Sequence, residues 1–387
     1  MEIKIEQLRK NFGEKIAVDI NNYTIHSGDM LGLVGNNGAG KTTLAVNLAK
    51  TLKSEHDKSV AIITNDQGDV LVDTEYSKDA GIDTREIMGG CFCKNFDEFV
   101  SSARTLVTTG KPNIIIAEPI GSSTNLMSSV VSPMRSMYPD EFSVAPFCVV
   151  VDCVRALDIL AKDKERTVDT VDLIPAHQIR DAEIIILTKT DLVDRATIDA
   201  IRIEIDGILP GCRMVETSSR DLRNIEEIID IVLSEEMSVK APIAEDNRGF
   251  AMEKAKLGWY SGTYDIVPTD DLDMYSISTD MMKMVASEYG ADSIVHVKVM
   301  LESEEVACKM SLVQKEMQVD GIEGGRYMTT PGRLVLNARV ISPPKKLEEV
   351  MRGIIDRIVE EYPLTVVKTG EKCFMPKPES PSHFFFE

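Results

Sequence analysis

Six short apolar segments recur in the first part of the chain, and a polar stretch with helical character follows each of them. They span residues 30–34, 60–64, 113–117, 147–151, 182–187 and 213–215. Continuous apolar runs of this length suit strands that are buried on both faces, and their alternation with helices is typical of a mostly parallel α/β sheet. The pattern predicts a doubly wound domain that begins near residue 28 and ends near residue 238.

The segment before this domain has a different pattern. Residues 1–8 and 15–25 alternate between apolar and polar positions, and a short connection through Asn11, Phe12 and Gly13 joins them. Alternation with a period of two predicts strands, and the short connection predicts an antiparallel hairpin added to the sheet. We assign this hairpin to residues 1–27 of a first domain that covers residues 1–238.

The chain beyond residue 238 predicts a second, smaller domain. Residues 239–250 are polar and include Pro242 and Gly249, which is typical of a linker. Three later segments predict strands, at residues 293–301, 306–313 and 333–341. A proline at 343 or 344 then opens a predicted helix that runs to residue 362. We expect an α+β domain over residues 251–387.

The size and composition agree with a folded protein of two domains. The chain has 387 residues, of which 43% are hydrophobic and 27% are charged, and one core rarely extends over such a length. No apolar run reaches the roughly 18 residues that a membrane span needs, and the first residues lack the apolar segment of a secretory signal. We expect a cytoplasmic protein without a membrane partner.

The net charge bears on possible nucleic-acid partners, and the distribution of cysteines bears on the cellular compartment. The net charge is −20, whereas nucleic-acid binding depends on clustered Lys and Arg, so no nucleic-acid partner is expected. The seven cysteines are odd in number and scattered through the chain. This distribution fits reduced thiols in the cytoplasm better than a framework of disulfides.

A phosphate-binding loop follows the first apolar segment. The run Gly35-Asn36-Asn37-Gly38-Ala39-Gly40-Lys41-Thr42 matches the Gly-x-x-x-x-Gly-Lys-Ser/Thr pattern in full, and a helical stretch starts at Thr43. The glycines let successive N–H groups face a phosphate, the lysine brings its charge to the β and γ phosphates, and the Thr42 hydroxyl is a ligand for Mg²⁺. We predict that all of these residues, with Thr43, contact a nucleotide.

A second motif indicates which base is bound. Thr188-Lys189-Thr190-Asp191 stands directly after the apolar segment at 182–187. In GTPases an Asn/Thr-Lys-x-Asp segment at this place recognises guanine, because the aspartate accepts hydrogen bonds from ring N1–H and the exocyclic amine. Adenine offers neither donor, so ATP would leave the carboxylate unpaired. Lys189 and Asp191 are therefore predicted to bind the base, with Ser218 in the loop that supports it.

One alternative class of nucleotide protein shares part of this pattern. Residues 22–30 resemble the entry to an ABC-transporter ATPase, and the strand that ends at Glu118 and Pro119 resembles the Walker B strand of that family. However, Ala117 stands where the metal-binding aspartate would be, and no Leu-Ser-Gly-Gly-Gln segment occurs in the chain. An ABC-like ATPase subunit remains an alternative, favoured if ATP is preferred and a membrane partner exists.

A pair of cysteines indicates metal chemistry. Cys91-Phe92-Cys93 follows Gly89-Gly90. On an extended segment, residues two apart project to the same side, so both thiolates can meet one ion. Two thiolates select a soft or borderline ion such as Zn, Ni, Co or Cu(I) over Mg²⁺. The alternative is a pair of partly buried structural cysteines, and Cys148 and Cys153, at the two ends of a buried strand, are expected in the core.

Together the motifs resemble the CobW/HypB/UreG group of SIMIBI-class GTPases, and within it the CobW-like branch. The resemblance covers residues 28–235 and follows the family order: Gly35 to Thr42, Asn65-Asp66-Gln67-Gly68 with Asp73, Gly90-Cys91-Phe92-Cys93, Glu118-Pro119-Ile120-Gly121, and Thr188 to Asp191. Two positions depart from it. Lys94 replaces a third cysteine and Asp66 replaces a glutamate, so a third metal ligand would come from Asp66, a histidine or a second subunit.

This resemblance implies a slow GTPase whose nucleotide state controls a metal. Glu118 would hold the water shell of Mg²⁺ or orient the attacking water, and the Gly121 N–H would sense the γ-phosphate. GTP turnover would then time the capture of Zn, Co or Ni by Cys91 and Cys93, or its delivery to a client metalloenzyme or a corrinoid (cobalamin-type) system. A GTPase that activates such a corrinoid or methyltransferase system without carrying metal itself is the second alternative.

Overall fold

The computed structural model describes residues 3–12, 15–25, 29–66, 77, 80–88, 90–165, 173–233, 256–314 and 316–375, and gives side chains from residue 29 onward with few exceptions. At the N-terminus, β1 (Ile3–Phe12) pairs antiparallel with β2 (Lys15–Ile25), as the hairpin prediction requires. The two strands form a sheet of their own, so the expectation that the hairpin extends the main sheet is wrong. The predicted linker at 239–250 lies outside the described residues.

The first domain is built on an eight-stranded sheet in which all the pairings are parallel. Its strands are β3 (Asp29–Val34), β4 (Val60–Asp66), β5 (Asp83–Met88), β6 (Ile114–Glu118), β7 (Ser143–Val144), β8 (Cys148–Asp152), β9 (Ile184–Thr188) and β10 (Arg213–Glu216). The order across the sheet is β10-β9-β8-β3-β6-β4-β5, with β7 beside β3. All six predicted apolar segments are strands of this sheet, and the predicted fold class is confirmed.

Helices cover both faces of this sheet. They are α1 (Lys41–Glu55), α2 (Phe96–Thr109), α3 (Ser132–Met137), α4 (Ala156–Glu165), α5 (Leu173–Asp181), α6 (Arg195–Ile208) and α7 (Ile225–Leu233), and a π-helical turn at Met127–Val131 leads into α3. The apolar residues of α1 and α7 share one core with Leu31 and Leu33. Those of α2, α5 and α6 share a second core with Met30 and Val34, on the opposite face.

Two strands of this sheet were not predicted. β5 has the sequence DTREIM and buries only Ile87 fully, because it is the edge strand and one side faces water. β7 has two residues. Neither carries a continuous apolar run, which is the only signal that the sequence offers for a buried parallel strand.

The second domain is an antiparallel sheet with two helices on one face. Its strands are β11 (Leu257–Pro268), β12 (Leu272–Asp273), β13 (Ile294–Ser303), β14 (Ala307–Val313), β15 (Glu316–Glu323), β16 (Tyr327–Met328), β17 (Gly332–Ile341) and β18 (Leu364–Phe374). The order across the sheet is β15-β14-β13-β17-β11-β18, and β12 and β16 form a separate short pair. The helices α8 (Met274–Tyr289) and α9 (Pro344–Glu361) pack on it around a core of their own. The predicted helix after Pro343 is α9. Strand β11, which is buried on both faces, and the edge strands β15 and β18 were missed.

The length and the apolar content of a helix decide whether it can cross a membrane. No helix in the described part of the chain is both long enough and apolar enough to cross a bilayer.

Candidate functional site

The carboxyl ends of the parallel strands open onto a cavity of about 720 Å³, which falls within the usual range for small-molecule sites. Lys41 and Thr42 line one end of the cavity wall, and Lys189 and Asp191 belong to the same wall. The predicted site residues that line it are Asn37, Gly38, Gly40, Lys41, Thr42, Thr43, Glu118, Gly121, Lys189 and Asp191. The structure therefore brings the phosphate-binding loop and the predicted base-reading loop to a single space.

The backbone of the phosphate-binding loop requires its glycines. Gly38 and Gly40 have φ values of 81° and 84°, in the left-handed region that favours glycine. A Cβ on Gly35 would lie 2.3 Å from the carbonyl oxygen of Val150 on β8. The predicted contacts Gly35, Asn36 and Ala39 do not line the cavity themselves, but they form the turn that carries the lining residues. The loop curls tightly at the start of α1, where the N–H groups of a helix attract anions.

Oxygen ligands meet below the loop. The Thr42 hydroxyl donates a hydrogen bond of 2.8 Å to Oε1 of Glu118, at the end of β6. Lys41 Nζ lies 4.0 Å from the same oxygen and also donates to the Asn36 carbonyl at 3.2 Å. Glu118 is only 6% exposed, so its charge is held inside the protein beside the lysine. A hydroxyl and a carboxylate at this place fit the oxygen ligands that Mg²⁺ prefers.

The loop at the other end of the cavity is fixed by buried contacts. The Thr188 hydroxyl donates to the Ala39 carbonyl at 2.8 Å, which ties this loop to the phosphate-binding loop. Lys189 has a left-handed backbone, with φ of 59°, and its Nζ forms an ion pair of 2.7 Å with Asp152 on β8. The Asp191 carboxylate lies 3.6 Å from Arg220, which also lines the cavity. These contacts hold the Asp191 carboxylate at the cavity wall.

The prediction for Ser218 needs correction. This residue is fully buried, and its hydroxyl accepts a hydrogen bond of 3.2 Å from the backbone N–H of Arg220. The cavity at this place is lined by Ser219 and Arg220 instead. The sequence alone did not show which of the two serines faces the cavity.

The loop after Glu118 contacts the phosphate-binding loop directly. A Cβ on Gly121 would lie 2.4 Å from Oδ1 of Asn37 and 2.8 Å from its backbone nitrogen, so only glycine fits. From the other side, Gln178 on α5 donates to the carbonyls of Gly121 and Ser123, at 3.0 and 2.7 Å. Residues 121–123 therefore lie between Asn37 of the phosphate-binding loop and α5.

The cysteine pair is connected to the same cavity through Asn65. This buried side chain lies at the end of β4 and lines the cavity beside Thr64. Its amide donates to the carbonyls of Ile87 and Gly90, at 2.9 and 2.7 Å, and its oxygen accepts from the N–H of Phe92 at 3.1 Å. One side chain thus contacts both the nucleotide cavity and the loop that carries Cys91 and Cys93.

The two cysteines of this loop are joined by a disulfide, with their Cα atoms 5.2 Å apart. The expectation that all seven cysteines are reduced is therefore wrong for this pair, because a turn at residues 92–94 brings the two side chains together. Both are buried, at 1% and 6% exposure. Metal ions bind thiolates, so this pair can bind a metal only after reduction.

A complete metal-binding group is not found in the described residues, where no cluster of three or more His, Cys, Asp or Glu side chains could hold an ion. The predicted ligand Asp66 has a described backbone in β4, but its side chain lies outside the described residues, as does Asp73. Cys91 and Cys93 could supply two sulfur ligands once reduced, so the metal site and its third ligand both stay predictions.

Cys148 and Cys153 belong to the core, as predicted. Both are buried, and burial raises the pKa of each thiol to about 12, which keeps it protonated at neutral pH. Neither is suited to bind a metal.

The geometry of the nucleotide end agrees with a family that also matches the sequence. Residues 29–216 match the family described as "CobW/HypB/UreG, nucleotide-binding domain". This part of the chain is a CobW/HypB/UreG nucleotide-binding domain.

Curated relatives place it on the CobW-like branch of this family. It is 28% identical over 192 residues to "Zinc chaperone CobW" of Sinorhizobium sp., covering 43% of this chain and 52% of that protein. It is 26% identical over 208 residues to "Zinc-regulated GTPase metalloprotein activator 1" of Schizosaccharomyces pombe, covering 51% of this chain and 48% of that protein. The chain thus spans about half the length of the curated relatives that it matches.

A shorter match concerns the ABC-type alternative. The chain is 33% identical over 73 residues to "Tungstate uptake system ATP-binding protein TupC" of Peptoclostridium acidaminophilum, covering 19% of this chain and 34% of that protein. The CobW/HypB/UreG match is far longer, so family membership favours the GTPase interpretation over the ABC-like one.

Sequence reasoning missed several residues around the site of this CobW/HypB/UreG domain. Asp152, which pairs with Lys189, could have been found, because it ends a strand beside the base-reading loop. Asn65 belongs to the predicted Asn65-Asp66-Gln67-Gly68 motif, but the motif predicts no role for its side chain. His296 is buried and lines the cavity together with Arg339. No local signal connects these two residues to the first domain.

Proposed function

We propose that this protein binds and hydrolyses GTP, and that its nucleotide state controls a transition metal held by Cys91 and Cys93 for delivery to a client metalloprotein. The single observation that carries the proposal is the position of Asn65, which contacts both the nucleotide cavity and the cysteine loop. Family membership supports the nucleotide part, and the names of the curated relatives support zinc as the first metal to test.

The phosphate end binds and orients the triphosphate of GTP. Backbone N–H groups of residues 38–42 face the phosphates, and Lys41 neutralises charge on the β and γ groups. Thr42 and Glu118 are the residues that would hold Mg²⁺, which when bound neutralises charge that develops between the β and γ phosphates. Glu118 would accept a hydrogen bond from the attacking water and so orient it.

The base end selects guanine. Asp191 accepts hydrogen bonds from the ring N1–H and the exocyclic amine, while the pair between Lys189 and Asp152 holds the loop in its left-handed turn. The hydrogen bond from Thr188 to Ala39 fixes the distance between this loop and the phosphate-binding loop. The two ends of the nucleotide are therefore held by loops that are bonded to each other.

Hydrolysis changes the contacts of the loop after Glu118. Gly121 packs against Asn37, and its N–H would sense the γ-phosphate, so loss of this phosphate would release residues 121–123. The end of β4 lies beside β6, and Asn65 carries any shift there to the cysteine loop. Such order and disorder of short loops is how many GTPases report their nucleotide state.

Metal binding should depend on reduction of the Cys91–Cys93 disulfide. We expect Zn²⁺ to bind tightly after treatment with a phosphine reductant and weakly without it, because only thiolates are ligands. Replacing both residues (Cys91→Ser with Cys93→Ser) should weaken binding by more than about 10²-fold, since losing even an outer partner of a ligand costs up to that much. Calorimetric titration with Zn²⁺, then Co²⁺ and Ni²⁺, measures this.

The matched control for that test is Cys212→Ser, which removes a half-buried cysteine that is in no disulfide and lies outside the loop. It should leave metal affinity unchanged. Equal affinity of the reduced wild type and the double variant would contradict the proposed metal site, whatever the GTPase activity.

Asn65→Ala should uncouple the metal site from the nucleotide. In the wild type we expect zinc affinity to differ between the states bound to GDP and to a non-hydrolysable GTP analogue, by about 10-fold, a common size for coupling between two sites. Without Asn65 the link between cavity and loop is lost, so this difference should largely disappear. Zinc titrations of the reduced protein, each with one nucleotide bound, measure the difference.

Asn95→Ala is the control for this uncoupling. The Asn95 amide also contacts the cysteine loop, donating to the carbonyls of Met88 and Gly90 at 3.1 and 3.5 Å, but it does not line the cavity. This variant loosens the same loop and should keep the nucleotide-dependent difference. Loss of the difference in both variants would mean that general loosening, and not Asn65 itself, explains the result.

A further inference from the structure

The sheet of the second domain has two unlike faces. One face packs on α8 and α9 through apolar residues such as Val299, Leu312 and Leu336. The other carries polar side chains that pair across strands, with His296 opposite Arg339, Lys298 opposite both Asn337 and Ser311, and Ser311 opposite Gln318. Residues that pair in this way lie on the same face of a sheet. An antiparallel sheet often leaves its second face to water, but this one does not.

The polar face lies against the first domain. A Cβ on Gly38 of the phosphate-binding loop would lie 2.4 Å from Cγ2 of Val313 on β14, and Trp259 on β11 belongs to a core of the first domain. His296, Lys309 and Ser311 are buried although they are polar. The second domain thus forms the wall of the nucleotide cavity that faces the phosphate-binding loop.

This wall is rich in cations. The whole cavity is lined by six Lys or Arg side chains and four Asp or Glu side chains, in a chain whose net charge is −20. Three of the six cations, Lys298, Lys309 and Arg339, belong to the second domain. Its acidic residues in the lining are Glu316 and Asp320. A cluster of positive charge in an acidic protein fits a ligand as negative as a nucleoside triphosphate.

Arg339 is the cation with a direct contact to the phosphate-binding loop. Its Nη1 donates a hydrogen bond of 2.5 Å to Oδ1 of Asn37, and its guanidinium lies 4.1 Å from the centre of the Trp259 ring. The ring fixes the plane of the guanidinium through a cation–π contact. Asn37 in turn abuts Gly121, whose N–H is proposed to contact the γ-phosphate. Arg339 is therefore held at the end of the cavity where the transferred phosphoryl group would lie.

We infer that Arg339 is a catalytic residue that the second domain supplies to the GTPase site of the same chain. During hydrolysis a water oxygen bonds to the γ-phosphorus as the bond from phosphorus to the β–γ bridging oxygen breaks, which yields GDP, inorganic phosphate and a proton. Negative charge develops on the γ-phosphoryl oxygens and on the leaving GDP. The guanidinium moves from Asn37 Oδ1 to these oxygens, where its planar fork can donate two hydrogen bonds.

This inference rests on the proposed GTPase function and adds a role for the second domain. The site for hydrolysis is complete only while the polar face of that sheet lies on the phosphate-binding loop. A client that binds the second domain and shifts its sheet would therefore change the rate of hydrolysis without touching the nucleotide.

The test is single-turnover hydrolysis of GTP by the full chain and by Arg339→Ala, with GDP affinity measured on the same samples. We expect the rate to fall by about 10²-fold or more in the variant, by analogy with the loss of other charge-stabilising donors. The affinity for GDP should change little, because GDP lacks the γ-phosphate. Arg339→Lys should recover part of the rate, since it restores the charge without the planar fork. Free guanidinium ion added to Arg339→Ala should also raise the rate.

Arg333→Ala is the matched control. Arg333 lies on the same strand, six residues before Arg339, and is not part of the cavity lining. It should hydrolyse GTP at the wild-type rate. A wild-type rate in Arg339→Ala would overturn this inference alone, as would an equal loss of GDP affinity with no response to guanidinium. A wild-type protein that neither binds nor hydrolyses GTP would overturn the proposed function itself.

Discussion

Asp191→Ala should remove most of the preference for GTP over ATP. By the proposed function the Asp191 carboxylate accepts two hydrogen bonds from guanine in the wild type, and a bond to a charged acceptor contributes about 1.5–3 kcal/mol. Losing both should lower GTP affinity by about 10²-fold or more and raise ATP affinity modestly, because adenine has no N1–H or C2 amine to pair with the carboxylate that is removed. The short ion pair between Lys189 and Asp152 keeps the loop in place in the variant, so the change should be confined to base recognition. Competition of non-hydrolysable GTP and ATP analogues against a fluorescent guanine nucleotide, with the affinity of that probe measured first for each protein, gives the two affinities.

The control for this substitution is Asp199→Ala on α6. Asp199 is exposed and pairs with Arg195 one helical turn away, an arrangement that contributes little to stability. It should keep the wild-type preference. If the wild type itself preferred ATP, the assignment of Asp191 to guanine would be wrong and the ABC-like alternative would gain support.

Glu118→Gln should slow GTP hydrolysis by about 10²–10³-fold while GDP still binds. The amide has the size of the carboxylate and can still accept the hydrogen bond from Thr42, so the loop should keep its shape. What the variant loses is the negative charge that lies 4.0 Å from Lys41 and that would help to hold Mg²⁺ and orient the attacking water. Single-turnover hydrolysis at several Mg²⁺ concentrations separates these two losses, because weaker ion binding is overcome at high Mg²⁺ and a lost water contact is not.

Glu141→Gln makes the same chemical change at the surface. Glu141 forms a bidentate ion pair with Arg104, which lowers the pKa of the Glu141 carboxyl. It does not line the cavity. Its hydrolysis rate should equal that of the wild type. An unchanged rate in Glu118→Gln would show that the carboxylate has no part in the reaction.

Asp191 and Glu118 could be predicted from the sequence, because the signals that place them lie within a few residues of each one. Lys41, Glu118 and Asp191 each follow a continuous apolar segment, and the carboxyl ends of parallel strands meet at one edge of a sheet. An apolar run and the motif that follows it are therefore enough to place a residue at that edge. The same reasoning predicted the six strands β3, β4, β6, β8, β9 and β10, and it failed for the polar edge strand β5.

The contacts between elements required the tertiary structure. Ser218 and Ser219 are adjacent, and only the turn that buries one of them shows which lines the cavity. The Asn65 hydrogen bonds to Gly90 and Phe92 join segments that are 25 and 27 residues apart. Spacing alone placed the two cysteines near each other, but not in a disulfide.

The second domain shows most clearly which features the sequence predicts and which depend on tertiary contacts. Its sequence by itself determined part of the sheet and the helix α9, because alternation and a helix-opening proline are signals within a few residues. Only the tertiary structure decided that the polar face of this sheet lies on the phosphate-binding loop, where Arg339 contacts Asn37 across a separation of 302 residues. A polar strand face looks the same in a sequence whether water or another domain covers it, since the pattern records the polarity of a side chain and not its neighbour.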